Sequence, residues 1–254
     1  MRNAFRDFFR RRRVSRHLAG NGPVFEYHGL KVTIPPEAGL SAMNALLRGK
    51  YERDEAALIL RHLPSDRPVI ELGGSLGVVS ALVASRLEPG TPHMVVEANE
   101  DLVSACRANA GGGATVVHAA LAYQAAVVRF RIGADIHASA LDAGLVGGEL
   151  RDVPAVTLSE LLDRIGDPRS FVLVADIEGA EFAMFEREAL ALSRCVLAIV
   201  EIHPGAFASS GHSEDDFMAL AGQAGLVAID RSADVVVLAR RDQPSGRSGV
   251  SASR

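Results

Sequence analysis

The sequence has no tryptophan, and aromatic residues fill only 5% of its 254 positions. Its core must therefore be assembled mainly from Ala, Val and Leu. Cysteine is almost absent: Cys106 and Cys195 stand far apart and in no Cys-x-x-Cys pattern. That excludes a disulfide framework and a cysteine zinc site, and it predicts a reducing, cytoplasmic location. Long apolar runs are missing too. The best, Gly77 to Ser85, stops at Arg86, short of the roughly 18 residues that cross a bilayer. No apolar leader core follows the N-terminal arginines, so secretion is not expected. Lysine is scarce, with Lys31 and Lys50 beside 25 arginines. That bias, with abundant Ala, predicts a GC-rich bacterial coding sequence.

What is present fits a globular protein. Hydrophobic residues make up 48% and charged residues 23%, which excludes disordered and collagen-like chains. The length suits one elaborated α/β or all-β unit. The net charge of −4 is unevenly spread. Residues 1–17 hold seven arginines against Asp7, a net of +6, which leaves −10 on the rest. An acidic body is a poor surface for nucleic acid, and no nucleic-acid partner is expected. Residues 1–20 read as a basic helix with Phe5, Phe8 and Phe9 on one face. The expected role of that face is docking on the body, with peripheral contact to an anionic membrane as the alternative.

The chain then divides into a hairpin and helix over 21–66, an alternating strand–helix domain over 67–240, and a polar tail, 241–254, expected to be disordered. The hairpin is expected over Phe25 to Ile34, a helix over 40–63 and an irregular stretch over 133–153. Continuous apolar strands alternating with helices predict a mostly parallel sheet covered on both faces. The last two strands are separated only by Arg231-Ser232-Ala233, too short for a parallel crossover, so they must form an antiparallel hairpin. A Rossmann-like α/β fold with seven strands and this ending is the arrangement of class I methyltransferases.

The turn after the first core strand reads Glu71-Leu72-Gly73-Gly74-Ser75-Leu76-Gly77. Its glycines permit a sharp turn and close approach of backbone to a ligand. Glu97 ends the next strand, twenty residues beyond Gly77, where a carboxylate can accept both ribose hydroxyls. The turn lacks the Gly-x-Gly-x-x-Gly spacing of dinucleotide sites. Glu71 is expected to repel a pyrophosphate and to suit the ammonium or sulfonium of S-adenosylmethionine.

Five segments carry a family resemblance: VIELGGSLGVVS at 69–80, VVEANEDLV at 95–103, VTLSELLDRIG at 156–166, VLVADIEGAEF at 172–182 and IVEIHP at 199–204. In colinear order they resemble the FkbM family of S-adenosylmethionine-dependent methyltransferases, over roughly residues 49–239. The resemblance implies O-methylation of a hydroxyl on a small saccharide or natural product, with S-adenosylhomocysteine as by-product. It also implies that Glu71, Gly73, Gly74, Ser75 and Gly77 form the cofactor turn and that Glu97, Ala98 and Asn99 match the family's Glu-Pro-Asn segment. Ala119 falls where the class contacts adenine. Glu52, in a Gly-x-Tyr-Glu element, is expected near the methionine end. Ala98 replaces the usual Pro, and Ala175 stands where the family often has Lys.

Asp176 and Glu178 end one strand, and Glu201 and His203 end the next, each pair two residues apart. Methyl transfer to an alcohol needs alignment and a proton acceptor. Asp176 and His203 are the candidate bases, and Glu178 is placed to orient the substrate. Glu181 is read as a helix N-terminal acid. A divalent metal on Asp176, Glu178, Glu201 and His203 is the lesser reading, because no ligand spacing demands it. His62, His93, His118 and His212 are expected on the surface or in packing. The competing functions are a non-catalytic S-adenosylmethionine-binding module, which Ala175 alone supports, and an NAD-type oxidoreductase.

Overall fold

The computed structural model describes residues 2–123, 125–133, 140–141 and 148–241. The tail expected to be disordered lies, beyond Arg241, outside the described residues. The chain opens with helix α1 (Arg2–Asn21), a hairpin of β1 (Val24–Tyr27) and β2 (Leu30–Thr33), and helices α2 (Gly39–Leu46) and α3 (Arg53–His62). The single helix expected over 40–63 is therefore two. It breaks where Gly49 and Glu52 take left-handed backbone, φ 59° and 39°.

Strand β3 (Val69–Leu72), helix α4 (Val78–Arg86), β4 (His93–Glu97), α5 (Glu100–Ala110) and β5 (Ala114–His118) follow in alternation. A small sheet comes next, with β6 (Ala120–Leu121), β7 (Val127–Ile132), β8 (Ala140–Leu141) and β9 (Glu149–Val156). Strand β9 corrects the irregular reading of 133–153. Pro154 and its run of charges masked a strand that pairs antiparallel with β7 from Glu149 to Pro154.

The chain continues through α6 (Leu158–Arg164), β10 (Phe171–Ala175), α7 (Glu181–Arg187), α8 (Ala189–Leu192), β11 (Cys195–Glu201) and α9 (Pro204–Ser209). It closes with α10 (Glu214–Gln223), β12 (Leu226–Ser232) and β13 (Val235–Arg240). Helix α7 gives way to α8 at Glu188, whose carboxylate accepts hydrogen bonds from the Ser159 N–H and hydroxyl. Ser213 caps α10 in a reciprocal capping box with Asp216.

The main sheet has seven strands in the order β12-β13-β11-β10-β3-β4-β5. Neighbours pair in parallel except at β13, which runs antiparallel to both β11 and β12. This is the expected mostly parallel sheet with an antiparallel end. The hairpin turn is Ala233-Asp234, with Ala233 at φ 51°, rather than Arg231 to Ala233. Strands β3, β4 and β10 are buried along their whole length, as a sheet covered on both faces requires. Side chains alternate between two cores: Ile70, Leu72, Phe171 and Leu173 face one, and Val69, Val172 and Val174 face the other. Phe25, Tyr27 and Val32 of the N-terminal hairpin belong to the second core.

Helix α1 docks differently from expectation. Val14 is buried in the second core and Leu18 packs against it, while Phe8 and Phe9 are exposed at 57% and 46%. The contact comes from the C-terminal half of the helix. Phe5 lies outside the residues whose side chains are described.

Candidate functional site

The chain reverses its direction of strand addition at β3, which lies between β4 and β10. Ligands in open α/β sheets bind beside the carboxyl ends of strands at such a point. Here the ends of β3 and β10 are locked together, since the Asp176 N–H donates to the Leu72 carbonyl at 2.9 Å. Gly73, at φ 93°, sits directly beneath: a Cβ there would overlap the Asp176 carbonyl oxygen. A Cβ on Gly74 would come within 2.8 Å of Cys106 Sγ, and one on Gly77 within 2.6 Å of the Cys106 carbonyl oxygen. The three glycines are thus required by contact with β10 and α5, before any ligand is considered.

Glu97 holds the turn from the other side. Its Oε2 accepts the Ser75 N–H at 2.5 Å and its Oε1 accepts the Asn99 N–H at 2.6 Å. A carboxylate has about four acceptor sites, so Glu97 keeps acceptor capacity for a ligand beside these backbone donors. Burial raises the Glu97 carboxyl pKa, and the backbone donors of Asn99, Ser75 and Ala98 oppose that rise. Glu97 lines a cleft with Gly73, Ser75, Ala98, Ala119, Phe130 and Asp176. Its enclosed volume, ≈ 90 Å³, is below the about 300–1,000 Å³ usual for small-molecule sites, so a nucleoside-sized ligand must also occupy its open mouth.

Glu71 does not face this cleft. It is 1% exposed, accepts the Ser80 hydroxyl at 2.5 Å and pairs with His93 Nε2 at 2.8 Å inside the protein. The expectation that it meets a sulfonium or repels a pyrophosphate is corrected. Alternation along β3 turns it away from the side that Leu72 presents to the cleft. His93 is accordingly a buried partner, not a lone packing residue.

The acids of β10 and β11 do converge. His203 Nε2 lies 3.4 Å from both Asp176 Oδ1 and Glu178 Oε2, and its Nδ1 lies 3.3 Å from Glu181 Oε1. Burial lowers the His203 pKa, but Glu181, Asp176 and Glu178 outweigh it and push it up to about 9. Its acidic neighbours thus favour the imidazolium form near neutral pH, which weighs toward Asp176 rather than His203 as the base. Burial, then repulsion from Glu201, carries the Asp176 carboxyl well above its usual range despite His203. Glu181 is fully buried and accepts the N–H groups of Ile177 and Gly179, both at 2.8 Å. It shapes the loop after β10 as well as facing His203.

Of the residues expected at the site, Gly73, Ser75, Glu97, Ala98, Ala119, Asp176 and Glu178 line the cleft. Gly74, Gly77 and Asn99 support it from behind: Asn99 Oδ1 caps α5 by accepting the Asp101 N–H. Ala175 is fully buried and outside the cleft lining. Glu52 lies with Glu201 on an adjoining cavity. Sequence reading missed Phe130, on β7, and Glu55, in the first turn of α3. The signal that could have found Phe130 was the β-prone run from Val127 to Ile132 that carries it. Glu52, Ser75 and Glu178 all hold left-handed backbone, φ 39°, 45° and 54°, a strain that concentrates at functional sites. The remaining histidines also have partners. His62 pairs with Asp230 at 2.7 Å, His118 bonds the Ala98 carbonyl at 3.1 Å, and His212 stacks on Phe182.

No curated protein matches the sequence. Among solved structures, magnesium protoporphyrin IX methyltransferase from Synechocystis PCC 6803 with bound SAH aligns over 94% of this chain and 100% of its own, at 12% identity and a TM-score of 0.43. The O-methyltransferase from Bacillus cereus in complex with SAH aligns over 73% of this chain and 79% of its own, at 12% identity and a TM-score of 0.40. The family model of the methyltransferase FkbM domain matches residues 83–223, more than half of the sequence. The chain therefore belongs to the FkbM methyltransferase family.

Proposed function

We propose that the chain moves a methyl group from S-adenosylmethionine to a hydroxyl of a small molecule, of saccharide or natural-product type. The observation that carries this reading is one cleft lined by both Glu97 and Asp176, with His203 beside Asp176. The residues present suit the cofactor: Glu97 keeps acceptor capacity for a ribose hydroxyl, and Ala98, Ala119 and Phe130 offer apolar contact to a base. When bound, the cofactor supplies an activated methyl group on a positively charged sulfur. The acids around the cleft favour that charge.

In this reading Asp176 accepts the proton of the acceptor hydroxyl. Its raised pKa makes it a better base than an ordinary carboxylate. Glu178 orients the acceptor, and His203, held by Glu181, keeps Asp176 and Glu178 in place as a fixed cation. With Glu71 paired inside the protein, its charge no longer argues against a nicotinamide cofactor; the family match does. The exposed Phe8 and Phe9 on a basic helix support peripheral membrane contact as part of the same proposal. Incubation with isotope-labelled S-adenosylmethionine and a panel of saccharide and natural-product alcohols tests the reading. Label in an ether product supports it. Transfer to nitrogen or carbon acceptors alone would overturn the hydroxyl assignment.

A further inference from the structure

Two cavities lie close together here: Asp176 lines one, and Glu52 and Glu201 line the other. One is the cleft described above. The other, ≈ 380 Å³, is lined by Tyr51, Glu52, Asp54, Glu55, Glu201 and Asp234, with Lys50 and Arg53 as its basic members. One carboxylate oxygen each from Glu52, Asp176 and Glu201 can lie within 4.8 Å of the others. Ions with metal–oxygen distances of about 2.0–2.6 Å span such a gap.

Clustered acids alone would not define a site, but Glu55 adds an independent observation. It is 5% exposed and faces this cavity. Among the described residues its carboxylate has no hydrogen-bond or ion-pair partner. Buried carboxylates are ordinarily paired or bound to a cation. His203 supplies positive charge to Asp176 and Glu178 on the cleft side. On the cavity side, Arg53 reaches the neighbouring Asp54 at 3.5 Å.

We propose that Glu52, Asp176 and Glu201 bind one hard divalent cation, Mg²⁺ or Mn²⁺, with Glu55 behind them as a further carboxylate that the ion's charge offsets. An oxygen-only donor set selects such ions over zinc or copper. This deepens the O-methyltransferase reading and rests on it for its purpose. The ion would hold the acceptor oxygen at the junction of the two cavities and acidify its hydroxyl. Asp176 would then act as a ligand, leaving the proton to Glu178 beside it.

The test uses the full chain, stripped with a chelator and titrated with Mn²⁺ alone, with free Mn²⁺ counted by electron paramagnetic resonance. The expected result is one bound Mn²⁺ per chain, displaced by excess Mg²⁺ and weakened about tenfold or more in the Glu52→Gln/Glu201→Gln double variant. Glu201→Gln alone, which leaves Glu52 in place, should weaken Mn²⁺ and bind S-adenosylhomocysteine as the parent does. Glu201→Asp, which keeps the charge and shortens the reach, should weaken Mn²⁺ if the double variant fails to fold. No Mn²⁺ binding at millimolar concentration, or binding unchanged in the variants, overturns the proposal. So does stabilisation by an amino sugar but not by Mn²⁺, which would make the cavity an ammonium site. Mn²⁺ binding in a chain that binds no S-adenosylhomocysteine would instead remove the functional reading and leave the ion site standing.

Discussion

His203 Nε2 lies 3.4 Å from Asp176 Oδ1, joining the ends of β10 and β11 by an imidazolium facing a carboxyl. This pair sets the expected pH dependence of methyl transfer. In metal-free protein the rate should rise with pH as Asp176 ionises, above the ordinary carboxylate range. His203→Gln removes the cation that favours the ionised form, so the rising limb should move to higher pH. Asp176→Asn should lower kcat by about 10²–10⁴. A pH–rate profile of the three proteins checks this, and an unshifted limb in His203→Gln would contradict it.

The same cluster links stability to pH. The His203 pKa is raised from 6.5 to about 9 by folding, so its contribution is complete below 6.5 and is lost as pH rises through 9. In metal-free protein Asp176 and Glu55 are also raised, both mainly by burial, so their protonated forms favour the fold and stability falls as they ionise. All three groups act in one direction. Tm should decline between neutral pH and pH 10, and His203→Gln should flatten the decline. A Tm that climbs over that interval would be the wrong sign.

Glu71 marks where sequence logic and structure part. The Gly-rich turn, Glu97 and the Asp176-to-Glu181 segment were legible because strand ends, glycines and acids recur at fixed spacing. The direction in which Glu71 points was not. Its partner His93 begins the neighbouring strand, and parallel pairing of β3 with β4 brings the two near each other only in three dimensions. That Glu52 and Glu55 share one cavity with Glu201 was hidden for a similar reason. They reach the site only because the expected single helix over 40–63 breaks before α3. Phe130 needed the small sheet that β9 completes.

Removing the Glu71 carboxylate should therefore act on stability rather than on cofactor affinity. Glu71→Ala leaves the Ser80 hydroxyl and His93 Nε2 without their buried acceptor, a loss of about 3–5 kcal/mol. Denaturant unfolding would register it. S-adenosylhomocysteine affinity, measured well below the variant's Tm, should stay within about threefold of the parent.

Helix α1 offers a separate test. Its basic face and the exposed Phe8 and Phe9 should carry the chain onto vesicles containing phosphatidylglycerol at low salt. Phe8→Ser/Phe9→Ser should reduce that sedimentation. Substitution is preferable to deletion of the helix, because Val14 is buried in the core and Arg13 bonds Asn44 at 2.7 Å. Equal sedimentation of parent and variant, or none at all, would reduce α1 to a solvated surface helix.

The most direct test of the account is calorimetric titration of S-adenosylhomocysteine into the parent protein and Glu97→Gln, with Tm recorded for both. The account predicts one-site binding in the parent. Glu97→Gln should weaken it by about tenfold or more, the ~1.5–3 kcal/mol expected when a charged acceptor is lost from a ligand's hydrogen bonds. Absence of binding by the folded parent, or equal affinity in a folded Glu97→Gln protein, would contradict it.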